Sequence, residues 1–421
     1  MTKIKYYHQN CEGANVAFYP ILGVHACSLQ LKIKAGSWYE PDTSWGAFHL
    51  LEHLISGSST ARFKTHRQLE LFLEKNGLKY DMSTGGSSVN FSILFTEKSL
   101  DSALEILEQI IFQPIFSTPD INRELLIIDR EHSQKWSNVT YNYAQSLHNH
   151  LFGLNHPYSR DGMGQTDYIK NLSLSYLINL HSRYFVSPNI SVGVSGPLDH
   201  STLFSKLTKI FSRYPGTPST LSIKPITTVT SPYYFSSPSA KSTDLKMIWL
   251  MPGADSFELK EFVILSLVKY LFTATDNSIF YRHLRFRLNL VYSIYIYLAY
   301  FPTACFLDIG TNIESSSFTK VNSEIIRLLN DFVARPISSR AYNLGLTNLH
   351  LGSLLDYSSV TGIAYKLVGD LFWEGGVTSL EDYYHVCSQI TELDVRRFLE
   401  TIISRPPVYS FMVPPNTLPL L

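Results

Sequence analysis

A strand and a helix that recur in the same order along the chain are the feature that most constrains its fold. Residues 29–34 alternate apolar and polar side chains before a glycine, as a half-buried strand does. The apolar stretch 247–251 ends before a Pro-Gly pair in the corresponding place. The amphipathic helix patterns at 99–112 and 317–332 repeat at nearly the same offset. We therefore predict two similar halves, each of an ordinary domain size.

The order of these elements and one stretch of biased composition divide the chain. Strands followed by pairs of helices, with little β-α-β alternation, favour an α+β fold. The stretch 215–239 is rich in Pro, Ser and Thr, which is typical of a linker. We predict an N-terminal domain at 1–214 and a homologous C-terminal domain at 240–421.

The N-terminal half contains the segment HLLEH at residues 49–53. Histidines four residues apart lie on one face of a helix, so both imidazoles can reach one metal ion. Glu52 projects onto the same face and could take a proton from a water molecule without binding the metal itself. The alternative is a chance match in a chain with 14 histidines, and a third ligand is needed to decide.

A second predicted helix offers that ligand. Thr118 is its expected N-cap and Pro119 its first residue. Glu124 and Glu131 are seven residues apart and share one face of this helix. A catalytic zinc site uses three protein ligands and keeps one position open, so one carboxylate would bind the metal and the other would orient a ligand. The alternative is a solvated helix face, which glutamates at this spacing commonly mark.

The segment GAFHLLEH at 46–53, with the glutamate pair that follows, resembles the pitrilysin family of inverzincin metallopeptidases, in its short two-domain form. Insulin-degrading enzyme and mitochondrial processing peptidase are members of that family. The stretches 35–41, 155–164 and 182–189 also fit it. The resemblance covers nearly the whole chain and implies two homologous α/β-roll halves with mainly antiparallel sheets, facing each other like a clamshell.

The same resemblance implies a role for each candidate residue of the N-terminal, zinc-binding catalytic half. His49, His53 and Glu131 would hold Zn²⁺. Glu52 would be the general base, and Glu124 would be the second carboxylate, which orients a ligand.

The second half carries a segment, 284–293, that resembles the family's substrate-contacting Arg and Tyr pair. The pair maps onto Arg285 and Tyr292 and is expected to contact substrate near the scissile bond. Two positions depart from the family: Asn289 stands where a glycine is usual, and Phe286 replaces an acidic residue. The alternative is a basic amphipathic helix end that runs into a buried strand.

The stretch 79–86 resembles the family's edge strand, to which an extended substrate adds as a further strand. Ser83 is the expected contact on it. The family usually has Asn-Ala-x-Thr-Ser here and this chain has YDMST at 80–84, so no specific asparagine is transferred. The alternative is an ordinary edge strand.

Composition sets limits on the class of protein. The charge is balanced, with 35 basic and 35 acidic residues, which gives no general case for nucleic acid or an anionic membrane. Four scattered cysteines are expected to be buried free thiols. The start of the chain lacks an apolar signal region and no long apolar run occurs. We expect a cytoplasmic protein of bacterial type, or an organellar one whose transit peptide has been removed.

The predicted function is that of a zinc-dependent endopeptidase cleaving unfolded peptides or leader segments inside a closed chamber. A two-half chain of this type is expected to form a homodimer or a heterodimer with a related subunit. One alternative is a non-catalytic or weakly catalytic partner or scaffold subunit of such a heterodimer. Another is an unrelated zinc protein in which HLLEH is structural, which would require a closed site with four ligands.

Overall fold

The computed structural model describes residues 6–57, 59–223, 225–227, 229–417 and 420–421. Over these residues the strands are β1 Tyr7–Cys11, β2 Ala14–Pro20, β3 Ala26–Ile33, β4 Ser59–Thr60, β5 Lys79–Thr84, β6 Val89–Thr96, β7 Pro114–Ile115, β8 Ile190–Gly196, β9 Tyr233–Ser236, β10 Thr243–Pro252, β11 Ile294–Phe301, β12 Ala304–Ile313 and β13 Val408–Val413. The α-helices are α1 Ala47–Gly57, α2 His66–Asn76, α3 Leu100–Phe112, α4 Thr118–Trp136, α5 Val139–Phe152, α6 Thr166–Ile169, α7 Leu174–Tyr184, α8 His200–Phe211, α9 Leu259–Thr273, α10 Phe318–Ala334, α11 Ser339–Asp356, α12 Val360–Glu374, α13 Leu380–Gln389 and α14 Glu392–Ile403. The first residues, 1–5, on which the expectation about a signal region partly rests, lie outside the described residues.

The chain forms two compact units that exchange segments. Unit 1 comprises residues up to 136, 160–222 and 355–379, and unit 2 comprises the rest. Helix α5, from the predicted N-terminal domain, therefore belongs to unit 2, and α12, from the predicted C-terminal domain, belongs to unit 1. The boundaries 1–214 and 240–421 remain a prediction about domains along the sequence.

Unit 1 is built on a six-stranded sheet in the order β1-β2-β8-β3-β6-β5. All neighbouring strands are antiparallel except β2 and β8. Helix α12 packs on this sheet through Ile363, Leu367 and Leu371, which are buried at helical spacing. Gly193 of β8 permits the approach, since a Cβ there would lie 2.2 Å from the Ala364 carbonyl oxygen.

Unit 2 is built on a five-stranded sheet in the order β11-β12-β10-β13-β9. Only the β13 and β9 pair is parallel. Strand β9 lies inside the stretch predicted as a linker, so the last part of that stretch is a sheet strand. Helix α5 contributes Tyr143, which is buried and whose hydroxyl lies 2.7 Å from that of Ser410.

Several local predictions are confirmed. The predicted strands 29–34 and 247–251 fall within β3 and β10 apart from the last residue of the first, and the helix patterns became α3 and α10. The α+β fold class with two mainly antiparallel halves is confirmed. The start of α4 differs slightly, because Ser117, not Thr118, caps it: the Ser117 hydroxyl accepts from the backbone N–H of Asp120 at 3.3 Å.

The cysteines agree with the expectation from composition. Cys11, Cys27, Cys305 and Cys387 are buried and free, and burial raises the pKa of Cys27 to about 12. In the part of the chain that the structure describes, no helix is both long and apolar enough to span a membrane.

Candidate metal centre

Helix α1 carries the HLLEH segment with its apolar side chains turned into the core. Leu50, Leu51 and Leu54 are fully buried. The two histidines share a different face: the rings of His49 and His53 are perpendicular, with centroids 4.7 Å apart. The apolar face therefore fixes the rotation of the helix about its axis, and this rotation determines where both imidazoles point.

Helix α4 brings a carboxylate to these imidazoles. The Oε2 atom of Glu131 lies 3.3 Å from Nε2 of His53 and 3.8 Å from Nε2 of His49. One potential ligand atom from each of the three residues lies within 4.8 Å of the others. The Glu131 side chain is 43% exposed, so the cluster is open on one side.

The donor set fits a catalytic zinc ion. Two ligands at zinc–ligand distances of about 2.0–2.1 Å in a tetrahedral site lie about 3.3 Å apart. The Oε2 atom of Glu131 lies 3.3 and 3.8 Å from the two imidazole nitrogens, close to that value. Two imidazoles and one carboxylate with an open side correspond to a catalytic zinc site, whereas a structural site is closed by four protein ligands. The described residues supply three such ligands here.

Glu124 lies behind His53, on the side away from the cluster. It is 5% exposed, and its Oε2 lies 3.3 Å from Nδ1 of His53. Its Oε1 accepts from Nε of Arg123 at 3.0 Å. Burial by itself acts to raise the pKa of Glu124. The bonds to His53 and Arg123 outweigh this effect, so the net pKa is lowered. An ionised Glu124 accepts the Nδ1–H of His53, and this tautomer leaves Nε2 free as a ligand.

Glu52 lies beside the cluster and is not part of the ligand group. Its Oε2 accepts from the hydroxyl of Thr84 at 3.4 Å. Burial raises the pKa of Glu52, the charges of Glu131 and Asp81 add to the rise, and His53 and Thr84 oppose it. The carboxylate is thus close to the cluster, and its pKa is shifted in the direction expected of a general base.

The two histidines differ in their environments. Burial, reinforced by the charge of His53, lowers the pKa of His49 to about 4. Burial also acts against charge on His53, but the hydrogen bond to Glu124 and the charges of Glu52 and Glu131 outweigh it and raise the pKa of His53. His49 is therefore neutral over the physiological range, which is the form that binds metal.

A cavity of about 850 Å³ opens beside Glu52 and His53. Strand β5 forms one wall and ends the sheet of unit 1, so it is the edge strand that the sequence predicts. Ser83 lies on this strand, exposed, with its hydroxyl 3.3 Å from Nδ2 of Asn90. The edge of a sheet is a place where an extended chain can add as a further strand.

Arg285 and Tyr292 lie together in unit 2. The Arg285 guanidinium carbon is 4.8 Å from the centroid of the Tyr292 ring, a cation–π distance, and Tyr292 is 81% exposed. Arg285 belongs to a π-helical segment, Tyr281–Arg287, a form that often occurs at functional sites. Asn289 has a φ of +51°, in the left-handed region that glycine and asparagine adopt most readily, so asparagine suits this backbone conformation as glycine does.

Sequence reasoning did not identify three residues that hold the site. Thr84 contacts Glu52, Arg123 holds Glu124, and Glu40 accepts hydrogen bonds from the start of α1. Arg123 could have been noticed, since it precedes Glu124. The contacts of Glu40 and Thr84 depend on how separate segments pack, and no local pattern indicates them.

Two family models match the chain. The model described as "Insulinase (Peptidase family M16)" matches residues 22–160, and the one described as "Peptidase M16 inactive domain" matches residues 171–349. Together the two ranges span more than half of the 421 residues. The HLLEH segment and α4 both lie within the first range.

Relatives and solved structures agree with these matches. An uncharacterized zinc protease of Rickettsia felis is 22% identical over 67% of this chain and 67% of its own length. The human mitochondrial-processing peptidase subunit beta is 28% identical over 43% of this chain, but the match spans only 36% of that subunit. A protease from Helicobacter pylori has a TM-score of 0.81 at 17% identity, covering 97% of this chain and 99% of its own. A peptidase M16 inactive domain from Pseudomonas fluorescens has a TM-score of 0.84 at 16% identity, covering 98% of each chain, and both structures share the fold.

Proposed function

Since the chain belongs to the insulinase family of peptidases, family M16, we propose that it is a zinc-dependent endopeptidase that cleaves unfolded peptides. The observation that carries this proposal is the convergence of His49, His53 and Glu131 from two helices, with Glu52 beside them. His49, His53 and Glu131 would hold the zinc ion. A zinc ion there supplies a Lewis acid that polarises the scissile carbonyl.

The proton transfers belong to Glu52. We infer that its carboxylate takes a proton from the attacking water and delivers it to the leaving amine. Thr84 donates a hydrogen bond to the same carboxylate and orients it. Glu124 holds His53 in the tautomer whose Nε2 faces the cluster.

The substrate is proposed to bind as an extended chain. The exposed edge of β5 near Ser83 offers main-chain pairing that tolerates many sequences. Arg285 and Tyr292 are proposed to contact substrate, since Tyr292 is exposed and its ring lies against Arg285, which belongs to the π-helical segment. The chamber, and pairing with a second copy or a related subunit, are proposed from the family resemblance and from the likeness to a peptidase subunit of the mitochondrial type.

A non-catalytic partner or scaffold subunit is the alternative function. The match of residues 171–349 to a domain described as inactive favours it. That range contains none of the four residues of the proposed site, which all lie in the range matched to the insulinase model. We therefore retain the peptidase as the conclusion.

The test combines metal content with hydrolysis of a mixed pool of unstructured peptides. The purified chain should hold about one zinc ion, cleave the pool, lose activity with a chelator and regain it with added zinc. Glu52→Gln should keep the zinc and lose hydrolysis by about two orders of magnitude or more. Glu97→Gln, in an exposed turn, is the matched control. Full hydrolysis by Glu52→Gln would contradict the proposed mechanism, and metal-loaded wild type without any hydrolysis would favour the scaffold.

A further inference from the structure

The N-terminus of α1 cannot be capped by its own flanking residue. The residue before the helix is Gly46, which has a φ of +105° and is packed so closely that a Cβ would lie 2.5 Å from Cδ1 of Ile169 and 3.0 Å from Cα of Gly164. A serine, threonine or aspartate, which normally caps a helix, has no room there. The first backbone N–H groups of α1 therefore need an acceptor from elsewhere.

Glu40 supplies this acceptor from six residues upstream. Its Oε2 accepts from the backbone N–H of Gly46 at 2.8 Å, and its Oε1 accepts from the backbone N–H of Phe48 at 2.7 Å. The side chain is almost completely buried, with 5% of Glu40 exposed. A carboxylate with both oxygens on the first N–H groups of a helix is also favoured by the helix dipole.

A buried arginine holds Glu40 in place. Arg160, 8% exposed, donates through Nη1 to the backbone oxygen of Glu40 and through Nη2 to Asp42. The segment that starts at Arg160 then passes Thr84, which contacts Glu52. Gly162 passes so close to Thr84 that a Cβ would lie 2.3 Å from its carbonyl oxygen.

We propose that Glu40 is a positioning residue for the peptidase reaction, which fixes the first turn of α1 and thereby the height of His49, Glu52 and His53 relative to Glu131. This inference rests on the proposed function, since the reaction is the one assigned above. Phe48, whose N–H Glu40 holds, immediately precedes His49. Glu131 arrives on a separate helix, α4, whose bonds to α1 run from Glu124 to His53 and from Arg123 to the Gly57 carbonyl oxygen, in the later turns of α1. Glu40 acts on the first turn, at the opposite end of α1.

The inferred role of Glu40 is to set the position of α1 along its axis, not to make the helix form. Ala47, Phe48, Leu50, Leu51 and Leu54 are fully buried, so the apolar face keeps α1 in the core without the cap. Apolar packing is non-directional and tolerates small axial shifts, whereas two hydrogen bonds to a rigid carboxylate do not. A displacement of about 1 Å at a catalytic group can cost roughly 100-fold in rate.

The test compares Glu40→Gln with a matched control. The glutamine keeps the shape of the side chain but turns an N–H₂ group towards one of the two backbone donors. Glu108→Gln is the control, because the Glu108 carboxylate also accepts hydrogen bonds in unit 1, from Tyr214, Arg213 and Gln113, none of which belongs to α1. The measurements are kcat and KM on one peptide, zinc affinity by chelator competition, and the visible absorption spectrum of the Co²⁺-substituted protein.

Glu40→Gln should lower kcat about tenfold or more with KM changed by less than about threefold. Its zinc affinity should fall about 10-fold or more and its Co²⁺ spectrum should shift, while Glu108→Gln should leave all of these unchanged. Unaltered kcat, zinc affinity and Co²⁺ spectrum in Glu40→Gln would overturn the inference, as would equal losses in Glu108→Gln.

If Glu40→Gln does not fold, Glu40→Asp, which keeps the charge but shortens the reach, carries the same expectations. Should the wild type lack peptidase activity, the proposed function fails, but zinc affinity and the Co²⁺ spectrum still decide the role of Glu40.

Discussion

Gly164→Ala should damage the candidate metal centre from outside it. Gly164 has a φ of +76°, and a Cβ there would lie 2.1 Å from Cα of Gly46 and 2.6 Å from the carbonyl oxygen of Trp45. An ordinary contact of about 3.5 Å requires the two backbones to separate by roughly 1.4 Å. Gly46 immediately precedes α1, so the displacement is passed to the turn that carries His49.

The expected loss of stability has two parts. An alanine in the left-handed region costs about 1–2 kcal/mol, and overpacking against backbone costs about 1–3 kcal/mol more. Gly77→Ala is the matched control, because Gly77 has a φ of +63° but a Cβ added there would meet no atom within 4 Å, so only the first part applies. The free energy of unfolding from urea titration should therefore fall about 1–3 kcal/mol further in Gly164→Ala than in Gly77→Ala.

Zinc affinity separates a local effect from general destabilisation. Chelator competition should show about tenfold or more weaker binding in Gly164→Ala, and unchanged binding in Gly77→Ala. The reasoning is refuted if the two alanine variants unfold at the same urea concentration and bind zinc equally well.

Three further outcomes are expected. Glu131→Gln should lose most of the zinc, whereas Glu124→Gln should weaken zinc affinity by about 10–100-fold; metal analysis after dialysis checks this, and the reverse order would exchange the two assigned roles. Asn289→Ala should be less stable than Asn289→Gly by about 1 kcal/mol, because the φ of +51° lies in the left-handed region; equal thermal midpoints would contradict the argument. Burial lowers the pKa of His181 to about 4, although its Nε2 donates to the Ile111 carbonyl oxygen at 2.8 Å. The unfolded chain therefore binds the proton more readily below pH 6.5. From pH 6.5 to pH 5 the free energy of unfolding should fall by about 1.6 kcal/mol more in the wild type than in His181→Gln, and identical pH dependence in urea titrations would disprove this.

Local sequence patterns were sufficient to predict individual helices and strands. The spacing of apolar residues predicted α3 and α10, and the alternation before a glycine predicted most of β3. These features depend on hydrogen bonds and side-chain faces within a few residues, which the order of residues specifies directly. The start of α4 was displaced by one residue, because serine and threonine are both able to cap a helix.

The candidate site could be predicted only in part from local sequence patterns. The spacing of His49 and His53 places both on one face of α1, but choosing Glu131 over Glu124 rested on the family resemblance. In the structure, Glu131 lies near both Nε2 atoms and Glu124 lies behind His53. Helix periodicity alone does not distinguish two carboxylates on one face.

Residue order alone specifies which segments become helices and strands, where two imidazoles share a face, and that two similar halves exist. Packing in three dimensions is what places α12 in unit 1 and α5 in unit 2, and what joins β9 to a sheet from a stretch resembling a linker. Packing also brings Glu131 to the imidazoles of His49 and His53 from a helix far along the chain. The physical reason is the distance along the chain over which each interaction acts. Periodicity and capping act within a turn or two, whereas these contacts form only where apolar burial brings distant segments together. Many sequences satisfy the same burial, so the order of residues does not by itself indicate which segments meet.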